Sequence, residues 1–151
     1  MLNVCEVFQT YLADKYNEIE FSDFELDVDI PDEIIICKID RILFCRAIDN
    51  IINNSIKYNQ KGTTIRLSIR KYEDKVKIII GDTGVGINRK ELDSIFKPFS
   101  LGNHSINFSS GSGLGLSICD KIIKVHNGII VLKYPADNGY STQFEIVLKA
   151  I

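Results

Sequence analysis

The sequence predicts an α+β protein, a two-layer α/β sandwich in which three helices cover one face of a mixed, mostly antiparallel sheet. Three segments carry apolar residues at helical spacing, and the segments between them carry the apolar patterns of strands. Turn residues join four of these strands into two hairpins. The 151 residues, 45% of them hydrophobic, suffice for one core. No repeat or linker divides them, so we expect one domain spanning residues 1–151.

The N-terminal part of the chain predicts a helix, two strands and a second helix. Apolar residues recur at helical spacing from Asn3 to about Tyr16. The segment FELDVDI alternates apolar and acidic residues, as a strand with one solvated face does, and EIIICKI predicts a more buried strand. Asp40 stands at an N-cap position and opens a long helix from about Arg41 to Tyr58.

The remainder of the chain predicts two hairpins and two further helices. The strands TTIRLSIRKY and KVKIIIGD flank a Glu73-Asp74 turn, and GIIVLKY and YSTQFEIVLKA flank a turn at DNG. The segment NRKELDSIF predicts a short helix. A longer helix runs from about Leu114 to His126 and ends at Asn127-Gly128, which is typical of a left-handed stop.

Composition and charge exclude several classes of protein. The 18 basic and 20 acidic residues give a net charge of -2, and no basic run could follow a phosphate backbone, so we expect no nucleic-acid partner. No apolar run approaches the roughly 20 residues that span a bilayer. The N-terminus has no basic segment leading into an apolar one. These features favour a cytoplasmic location.

Four cysteines stand far apart among aliphatic residues: Cys5, Cys37, Cys45 and Cys119. Because there is no CxxC pair and there are only two histidines, the pattern predicts neither a metal site nor a disulfide framework. We interpret the four side chains as reduced core thiols of a cytosolic protein.

The long helix carries an unusual polar stripe. At about 100° per residue, Arg46, Asn50, Asn54 and Lys57 fall on one side, opposite the apolar side chains. Asparagine costs helix propensity, so helix stability alone does not explain these residues. An amide oxygen suits Mg²⁺, and a lysine one turn later suits phosphate oxygens. A solvated helix face with an Asn-rich end is the alternative interpretation, and the helix alone leaves both open.

A second signal is the stretch IIIGDTGVGI. Asp82 ends an apolar strand, so its carboxylate can lie at the rim of a pocket and accept a hydrogen bond from an exocyclic amino group such as that of adenine. Gly84 and Gly86 let the backbone turn and pass close to a ligand. An ordinary strand-to-turn junction also uses Asp, Thr and Gly, and the stretch alone does not exclude it.

A third signal is the glycine cluster in SSGSGLGLSI. Gly111, Gly113 and Gly115 precede a helix, whose free N–H groups would face an anion such as a phosphate. A single GxGxG is weak, because glycine-rich loops are common. An Asn-bearing helix, a GDTGVGI strand end and a GSGLGLSI helix start in this order are much stronger together.

The segments DNIINNSIKYN, GDTGVGI, IFKPF and GSGLGLSI resemble the N-box, first glycine box, F-box and second glycine box of the catalytic ATP-binding domain of sensor histidine kinases. That domain belongs to the gyrase, Hsp90, histidine kinase and MutL ATPase superfamily. The resemblance covers nearly the whole chain and implies the Bergerat ATP-binding fold. It implies that ATP and Mg²⁺ are held between the N-box helix and a mobile lid.

The resemblance carries site residues over position by position. It implies that Asn54 chelates Mg²⁺, that Asn50 lines the same site, and that Lys57 and Tyr58 lie near the phosphates and the nucleotide. Of these, Asn50, Asn54 and Lys57 are the expected catalytic residues. The other expected nucleotide contacts are the adenine-reading Asp82, then Gly84, Gly86, Ile87, Phe96, Phe99, Gly111, Gly113, Leu114, Gly115, Leu116 and Thr142. For Thr142, which the resemblance gives an adenine-supporting hydrogen bond, an ordinary strand residue is the alternative.

One departure from the family pattern concerns charge. Family lids often carry an arginine two residues after the F-box phenylalanine, where this chain has Leu101, and no Lys or Arg occurs between Lys97 and Lys121. Holding and transferring a phosphoryl group depends on positioning and charge stabilisation. Either Lys57 and Mg²⁺ suffice, or a partner supplies an arginine. His104 is the one titratable cation candidate in that stretch, and a solvated loop histidine is its simpler interpretation.

A second departure is the absence of an acceptor histidine. The family transfers the phosphate to a histidine of a separate helical dimerisation domain, and this chain has only His104 and His126. We interpret His126 as a cation that complements the dipole at a helix end. The chain is therefore expected to be a fragment of a larger, membrane-attached kinase. By itself we expect it to be monomeric.

The resemblance implies a function and leaves two alternatives. The chain would bind ATP–Mg²⁺ and align the γ-phosphate with the acceptor histidine of its dimerisation domain, and the phosphate would later pass to a response-regulator aspartate. One alternative is a related anti-sigma-factor serine kinase. The other is a nucleotide-binding module with impaired catalysis, which the uncharged lid sequence favours.

Overall fold

The computed structural model describes residues 1–98 and 114–151. In these two ranges three helices cover one face of a five-stranded, mostly antiparallel sheet, which confirms the predicted two-layer sandwich. The helices are α1 (Val4–Phe21), α2 (Arg41–Tyr58) and α3 (Gly115–Val125). The strands are β1 (Leu2–Asn3), β2 (Glu25–Asp29), β3 (Ile36–Cys37), β4 (Thr64–Tyr72), β5 (Lys75–Asp82), β6 (Ile129–Leu132) and β7 (Thr142–Lys149).

The five-stranded sheet has the order β2-β4-β5-β7-β6. Only β2 and β4 pair in parallel, and both predicted hairpins form. At the first hairpin, Glu73 adopts a left-handed φ of 54°. At the opposite end of β5, Asp82 stands directly across from Thr142 of β7. The register therefore brings two of the predicted site residues to the same edge of the sheet.

Alternation along the central strands produces the core. Every second side chain of β4, β5 and β7 is buried under the helices, and α2 and α3 supply the facing apolar side chains. Burying one such side chain is worth about 1.5–3 kcal/mol. The opposite face of the sheet is polar, with ion pairs from Arg66 to Asp27 (3.0 Å) and from Lys77 to Glu145 (3.3 Å). The core thus fixes α2 against the end of β5.

Two N-terminal elements differ from the prediction. Helix α1 continues beyond Tyr16 to Phe21, because Ile19 is 1% exposed and extends the buried stripe by another turn. Within EIIICKI only Ile36–Cys37 forms a strand, and it pairs with Leu2–Asn3 instead of joining the main sheet. The Asn3 side chain also accepts a hydrogen bond from the Ile35 N–H (3.1 Å). This hydrogen bond and the strand pairing connect the segment to the N-terminus.

The short helix predicted from NRKELDSIF is reduced to one 3₁₀ turn, Arg89–Glu91. The Asn88 side chain caps it by accepting a hydrogen bond from the Lys90 N–H (3.1 Å). A nine-residue segment gains too few hydrogen bonds to offset helix nucleation. The residues after it form turns up to Pro98.

His126 is not the dipole-stabilising cation that we expected. Its Nε2 accepts a hydrogen bond from the Asp40 backbone N–H (2.9 Å) and therefore carries no proton, and its Nδ1 lies 2.7 Å from the Ile122 carbonyl oxygen. Nδ1–H must then be the donor, because a carbonyl oxygen only accepts. His126 therefore joins the end of α3 to the N-cap of α2. The left-handed residue that follows is Asn127, with φ 55°.

The cysteines are free, as predicted. Three of them are buried and Cys45 is half-buried. Burial raises the pKa of Cys37 to about 11 and that of Cys119 to about 12, so neither is a ready nucleophile. No helix among the described residues is both long and apolar enough to cross a membrane.

Candidate functional site

A cavity of about 650 Å³, including the part open to solvent, lies between the end of α2, the end of β5 and the start of α3. Its wall contains seven residues that the sequence singled out: Asn54, Tyr58, Asp82, Gly86, Ile87, Leu116 and Thr142. It also contains five that sequence reasoning missed: Ser55, Asn59, Val85, Glu91 and Ile95. Residues from distant parts of the sequence thus converge on one concave surface.

Asp82 lies at the end of β5 and is 1% exposed. Its Oδ2 accepts a hydrogen bond from the Ser55 hydroxyl (2.7 Å), and its Oδ1 accepts one from the Gly84 N–H (3.0 Å). Burial raises the pKa of Asp82 above the usual carboxyl range, while these bonds and the Asn59 and Thr142 side chains act in the opposite direction. The two bonds occupy two of about four acceptor positions of a carboxylate, so it can accept from a ligand.

Thr142 supports Asp82 from the neighbouring strand. It stands opposite Asp82 in the β5–β7 register and is buried. Its side chain is among the hydrogen-bonding groups that lower the pKa of Asp82. The backbone of β7 also contacts Asp82 just before Thr142, since the Ser141 N–H donates to the Asp82 carbonyl (2.8 Å).

Helix α2 places Asn54 in the cavity wall. The helix begins at Asp40, whose side chain accepts a hydrogen bond from the Leu43 N–H (2.9 Å), so the predicted N-cap is confirmed. Phe44, Ile48 and Ile52 are buried in the core, and the polar stripe lies on another side of the helix. Asn54 is half-buried in this orientation.

Asn50 lies one helical turn before Asn54 and is incompletely satisfied. Its Nδ2 is buried and has no hydrogen-bond partner among residues 1–98 and 114–151. A buried donor without a partner costs about 1–3 kcal/mol. Gly115, the first residue of α3, lies beside this amide, because a Cβ added there would lie 3.7 Å from the Asn50 Oδ1. An amide N–H that has no protein acceptor suits a phosphate oxygen or a water molecule.

Lys57 does not form part of the cavity wall. Its ammonium lies 5.2 Å from the ring centroid of Tyr58, a cation–π contact. Tyr58 does line the cavity. The predicted contact of Lys57 with phosphates stays a prediction.

The two glycines of the first glycine box differ in their surroundings. Gly86 has a left-handed φ of 76° and lines the cavity with Ile87. Gly84 lies behind the wall, where a Cβ would lie 1.8 Å from the Asn59 Oδ1. Phe96 is also behind the wall, packed edge-on against Phe144 with ring centroids 6.1 Å apart.

The second glycine box is only partly described. Leu114 stands at the N-cap of α3 without a side-chain cap, Gly115 begins the helix, and Leu116 reaches the cavity. Phe99, Gly111 and Gly113, together with Leu101 and His104, lie outside the described residues.

Ser55 and Asn59 are the informative omissions of the sequence analysis. Ser55 stands among buried apolar positions of α2 and is 3% exposed. A hydroxyl on the buried side of a helix needs a partner, and that signal could have identified it. Asn59 follows Ser55 by four residues, which places both on the same side of the last turn.

The cavity therefore has two chemically different ends. The aspartate end comprises Ser55, Asn59, Asp82 and Thr142, all of which line the cavity. The asparagine end comprises Asn54, which lines the cavity, together with Asn50 and Gly115, which do not line it but lie one helical turn from Asn54 and beside Asn50 respectively. Among residues 1–98 and 114–151, no cluster of three or more His, Cys, Asp or Glu side chains could hold a metal ion. A cation at the asparagine end would rely on amide, water and ligand oxygens, a donor set that fits Mg²⁺. The unpaired Asn50 donor likewise fits an anionic group of a ligand.

Comparison with known proteins gives a consistent result. The family model of the histidine kinase-, DNA gyrase B- and HSP90-like ATPases matches residues 39–150. The alginate biosynthesis sensor protein KinB of Pseudomonas aeruginosa is 32% identical over 82% of this chain and 20% of its own length. The adaptive-response sensory kinase SasA of Rippkaea orientalis is 35% identical over 89% of this chain and 35% of its own length.

A solved structure supports the same relationship. The mycobacterial sensor histidine kinase MprB is 25% identical and superposes with a TM-score of 0.83, covering 99% of this chain and 97% of that one. This chain thus spans nearly the whole of that solved chain. It spans about a fifth to a third of the two full-length relatives.

Proposed function

The chain belongs to the histidine kinase-, DNA gyrase B- and HSP90-like ATPase family, and from this premise we propose that it is the ATP-binding catalytic domain of a sensor histidine kinase. It would bind ATP with Mg²⁺ and donate the γ-phosphate to a histidine on a separate dimerisation domain. One observation carries the proposal: a carboxylate, Asp82, is 1% exposed and yet lines an open cavity. Burying a carboxylate costs stability, and a buried titratable group that faces a cleft is typical of a functional site.

At the aspartate end, Asp82 accepts a hydrogen bond from the exocyclic amino group of adenine. The Ser55 hydroxyl and the Gly84 N–H orient its two oxygens. Ile87, Ile95 and Leu116 give the cavity an apolar lining on which a purine ring can pack. Thr142 supports the carboxylate from β7.

At the asparagine end, Asn54 supplies an amide oxygen to Mg²⁺, and Asn50 donates its buried N–H toward the phosphates. Lys57 lies in the last turn of α2, three residues after Asn54, and its side chain can reach the same region by rotation. ATP supplies the phosphoryl group when bound, and Mg²⁺ offsets its negative charge. The chain's own residues hold the nucleotide and orient it.

The acceptor histidine and the later response-regulator aspartate are partners outside this chain. Residues 1–151 would form one domain of a longer, membrane-attached kinase, located on the cytoplasmic side and monomeric by itself. The length of the relatives supports a larger protein, since the chain matches only 20% of KinB. We expect no nucleic acid among its partners, in line with the net charge of -2.

A nucleotide-binding module with impaired catalysis is the second candidate. The observation that favours it is the absence of Lys and Arg between Lys97 and Lys121 in the sequence. Without a cation there, Lys57, Mg²⁺ or a partner arginine must offset the charge of the γ-phosphate.

Calorimetric titration tests the proposal directly. A non-hydrolysable ATP analogue and ADP are each titrated into the chain, with and without Mg²⁺. We expect binding that depends on Mg²⁺ and is tighter for the analogue. Equal affinity for both nucleotides would favour the second candidate, and no binding of either would overturn ATP binding altogether.

Phosphotransfer separates the enzyme classes. The chain is mixed with ATP and the helical dimerisation domain of its own kinase, and the phosphorylated product is treated with acid. An acid-labile phosphohistidine is the expected result. An acid-stable phosphoserine on a protein partner would instead support an anti-sigma-factor-type serine kinase, and no product would support the catalytically impaired module.

A further inference from the structure

Asn59 bonds to both sides of the aspartate end. It is the C-cap of α2 and has extended backbone angles (φ -115°, ψ 166°). Its Nδ2 donates a hydrogen bond to the Ser55 carbonyl (2.8 Å), and its Oδ1 accepts one from the Val85 N–H (2.9 Å). One side chain therefore joins the last turn of α2 to the segment that follows β5.

The hydrogen bonds of Asn59 and those of the Asp82 carboxylate belong to one network. One carboxylate oxygen accepts from the Ser55 hydroxyl, and the other accepts from the Gly84 N–H. Asn59 holds the carbonyl of Ser55 and the N–H of Val85, the residue next to Gly84. Asn59 therefore bonds to the backbone of Ser55, whose hydroxyl orients Asp82, and to the backbone of Val85, the residue after the Gly84 N–H that orients it.

The same side chain explains Gly84. A Cβ at Gly84 would lie 1.8 Å from the Oδ1 and 2.2 Å from the Cγ of Asn59, far inside van der Waals contact. The backbone itself does not require glycine, because Gly84 is not among the residues with positive φ, whereas Gly86 has a φ of 76°. From the sequence we expected both glycines to admit a ligand. In the structure, the absence of a Cβ at Gly84 leaves room for the Asn59 side chain.

We propose that Asn59 is a positioning residue that holds Asp82 in the orientation needed to select adenine, and that Gly84 is glycine in order to accommodate the Asn59 carboxamide. The selectivity part rests on the proposed nucleotide-binding function. The packing part does not, because it concerns contacts within the chain.

A double-mutant cycle tests both parts. The variants are Asn59→Ala, Gly84→Ala and the double variant, with Asn53→Ala as the matched control. Asn53 is an exposed asparagine of the same helix. The dissociation constants of ADP and GDP are measured by calorimetry, and the free energy of unfolding is measured by urea titration without nucleotide.

We expect Asn59→Ala to weaken ADP binding about tenfold, the effect of weakening one hydrogen bond between the misoriented Asp82 carboxylate and adenine. It should also lower the ratio of the GDP dissociation constant to the ADP dissociation constant, since a misoriented Asp82 no longer selects the exocyclic amino group of adenine. Gly84→Ala should reproduce this effect by displacing Asn59. The double variant should then bind ADP no more weakly than Asn59→Ala alone.

Two results would overturn the proposal. If the two substitutions weaken ADP binding additively, the Cβ at Gly84 obstructs the ligand itself and not Asn59. If Asn59→Ala lowers stability but keeps the ADP preference, Asn59 has a structural role only. Asn53→Ala should leave both nucleotide affinities unchanged.

Failure of the proposed function is distinguishable from failure of this inference. If the unsubstituted chain binds neither ADP nor GDP, the nucleotide assignment fails and the unfolding cycle alone tests the packing part. Non-additive losses of unfolding free energy then support the Asn59–Gly84 contact, and additive losses refute it.

Discussion

The two ends of the cavity satisfy their polar groups in different ways. At the aspartate end, Ser55, Asn59 and the Gly84 N–H are bonded within the protein, and Asp82 accepts from two donors. At the asparagine end, the buried Nδ2 of Asn50 has no hydrogen-bond partner in the part of the chain that the structure describes. The aspartate end therefore has its hydrogen bonds in place before a ligand binds. The asparagine end keeps a polar group that a ligand can satisfy.

This difference separates the effects of substitution on stability and on binding. Removing a group from the preformed aspartate end should cost both the free energy of unfolding and nucleotide affinity. Removing the unsatisfied group should cost affinity alone.

Asn54→Ala should remove the Mg²⁺-dependent part of binding at the asparagine end. Loss of an outer partner of a metal ligand typically costs 10- to 100-fold, so loss of the amide ligand itself should reach at least about 100-fold for the ATP analogue with Mg²⁺. Calorimetry should show that the affinity falls to the value that the unsubstituted chain has without Mg²⁺.

Asn53→Ala is the control for this substitution, because Asn53 is exposed next to Asn54. It should leave the Mg²⁺ dependence intact. An Asn54→Ala variant that still binds the analogue more tightly with Mg²⁺ would show that Asn54 does not provide the metal ligand.

Asp82→Asn should weaken binding at the aspartate end by about 10- to 150-fold, since a hydrogen bond to a charged acceptor is worth about 1.5–3 kcal/mol. The loss should be the same for ADP and the ATP analogue, and the same with and without Mg²⁺, because adenine is common to all of these. Titration of both nucleotides checks this. A loss confined to the triphosphate would place Asp82 near the phosphates instead.

The same variant tests the titration of the buried carboxylate. Burial raises the pKa of Asp82 in the folded chain, so its contribution to stability is full below the unfolded carboxyl pKa of about 4 and is lost as pH rises through the folded pKa. The free energy of unfolding of the unsubstituted chain, minus that of Asp82→Asn, should therefore fall as pH rises above about 4. Urea titrations without nucleotide at several pH values measure this difference, and a rising difference would contradict a raised pKa.

The sequence predicts much of this arrangement because the fold follows local patterns. Helix α2 has the predicted bounds, since both its N-cap at Asp40 and its polar stripe are local signals. Helix α3 and both hairpins also form within a few residues of the prediction. Two of the errors occur where a distant partner decides the outcome: Ile36–Cys37 pairs with the N-terminus, and His126 accepts from Asp40.

The candidate site likewise contains residues that the sequence predicts and contacts that it does not. Asp82 and Asn54 stand in recognisable sequence motifs, and the structure places both in one cavity wall. The hydrogen-bond network of Asn59 could not be predicted from sequence, because it depends on how closely the end of α2 approaches Gly84 and Val85. Residue types alone do not give that distance.

Asn50→Ala should separate stability from binding most clearly. It removes a buried unpaired donor and replaces asparagine with a better helix former, so the free energy of unfolding should rise by about 1 kcal/mol. Affinity for the ATP analogue should fall about fivefold. Urea titration and calorimetry measure the two quantities, with Asn53→Ala giving the helix-propensity effect alone. A loss of stability would mean that the Asn50 amide is already satisfied in the free chain.

His126→Ala should have the smallest effect, because His126 belongs to neither end of the cavity. It removes the acceptor of the Asp40 N–H, and water can replace it at this partly exposed position, so we expect a loss of about 0.5–1 kcal/mol in the free energy of unfolding. Lys124→Ala, which loses only an exposed ion pair with Asp120, is the control and should cost less. Nucleotide affinity should stay unchanged in both variants. If His126→Ala weakens ATP-analogue binding, the junction between α2 and α3 also sets the position of Asn50 against Gly115, and the asparagine end is then more preformed than its unpaired amide indicates.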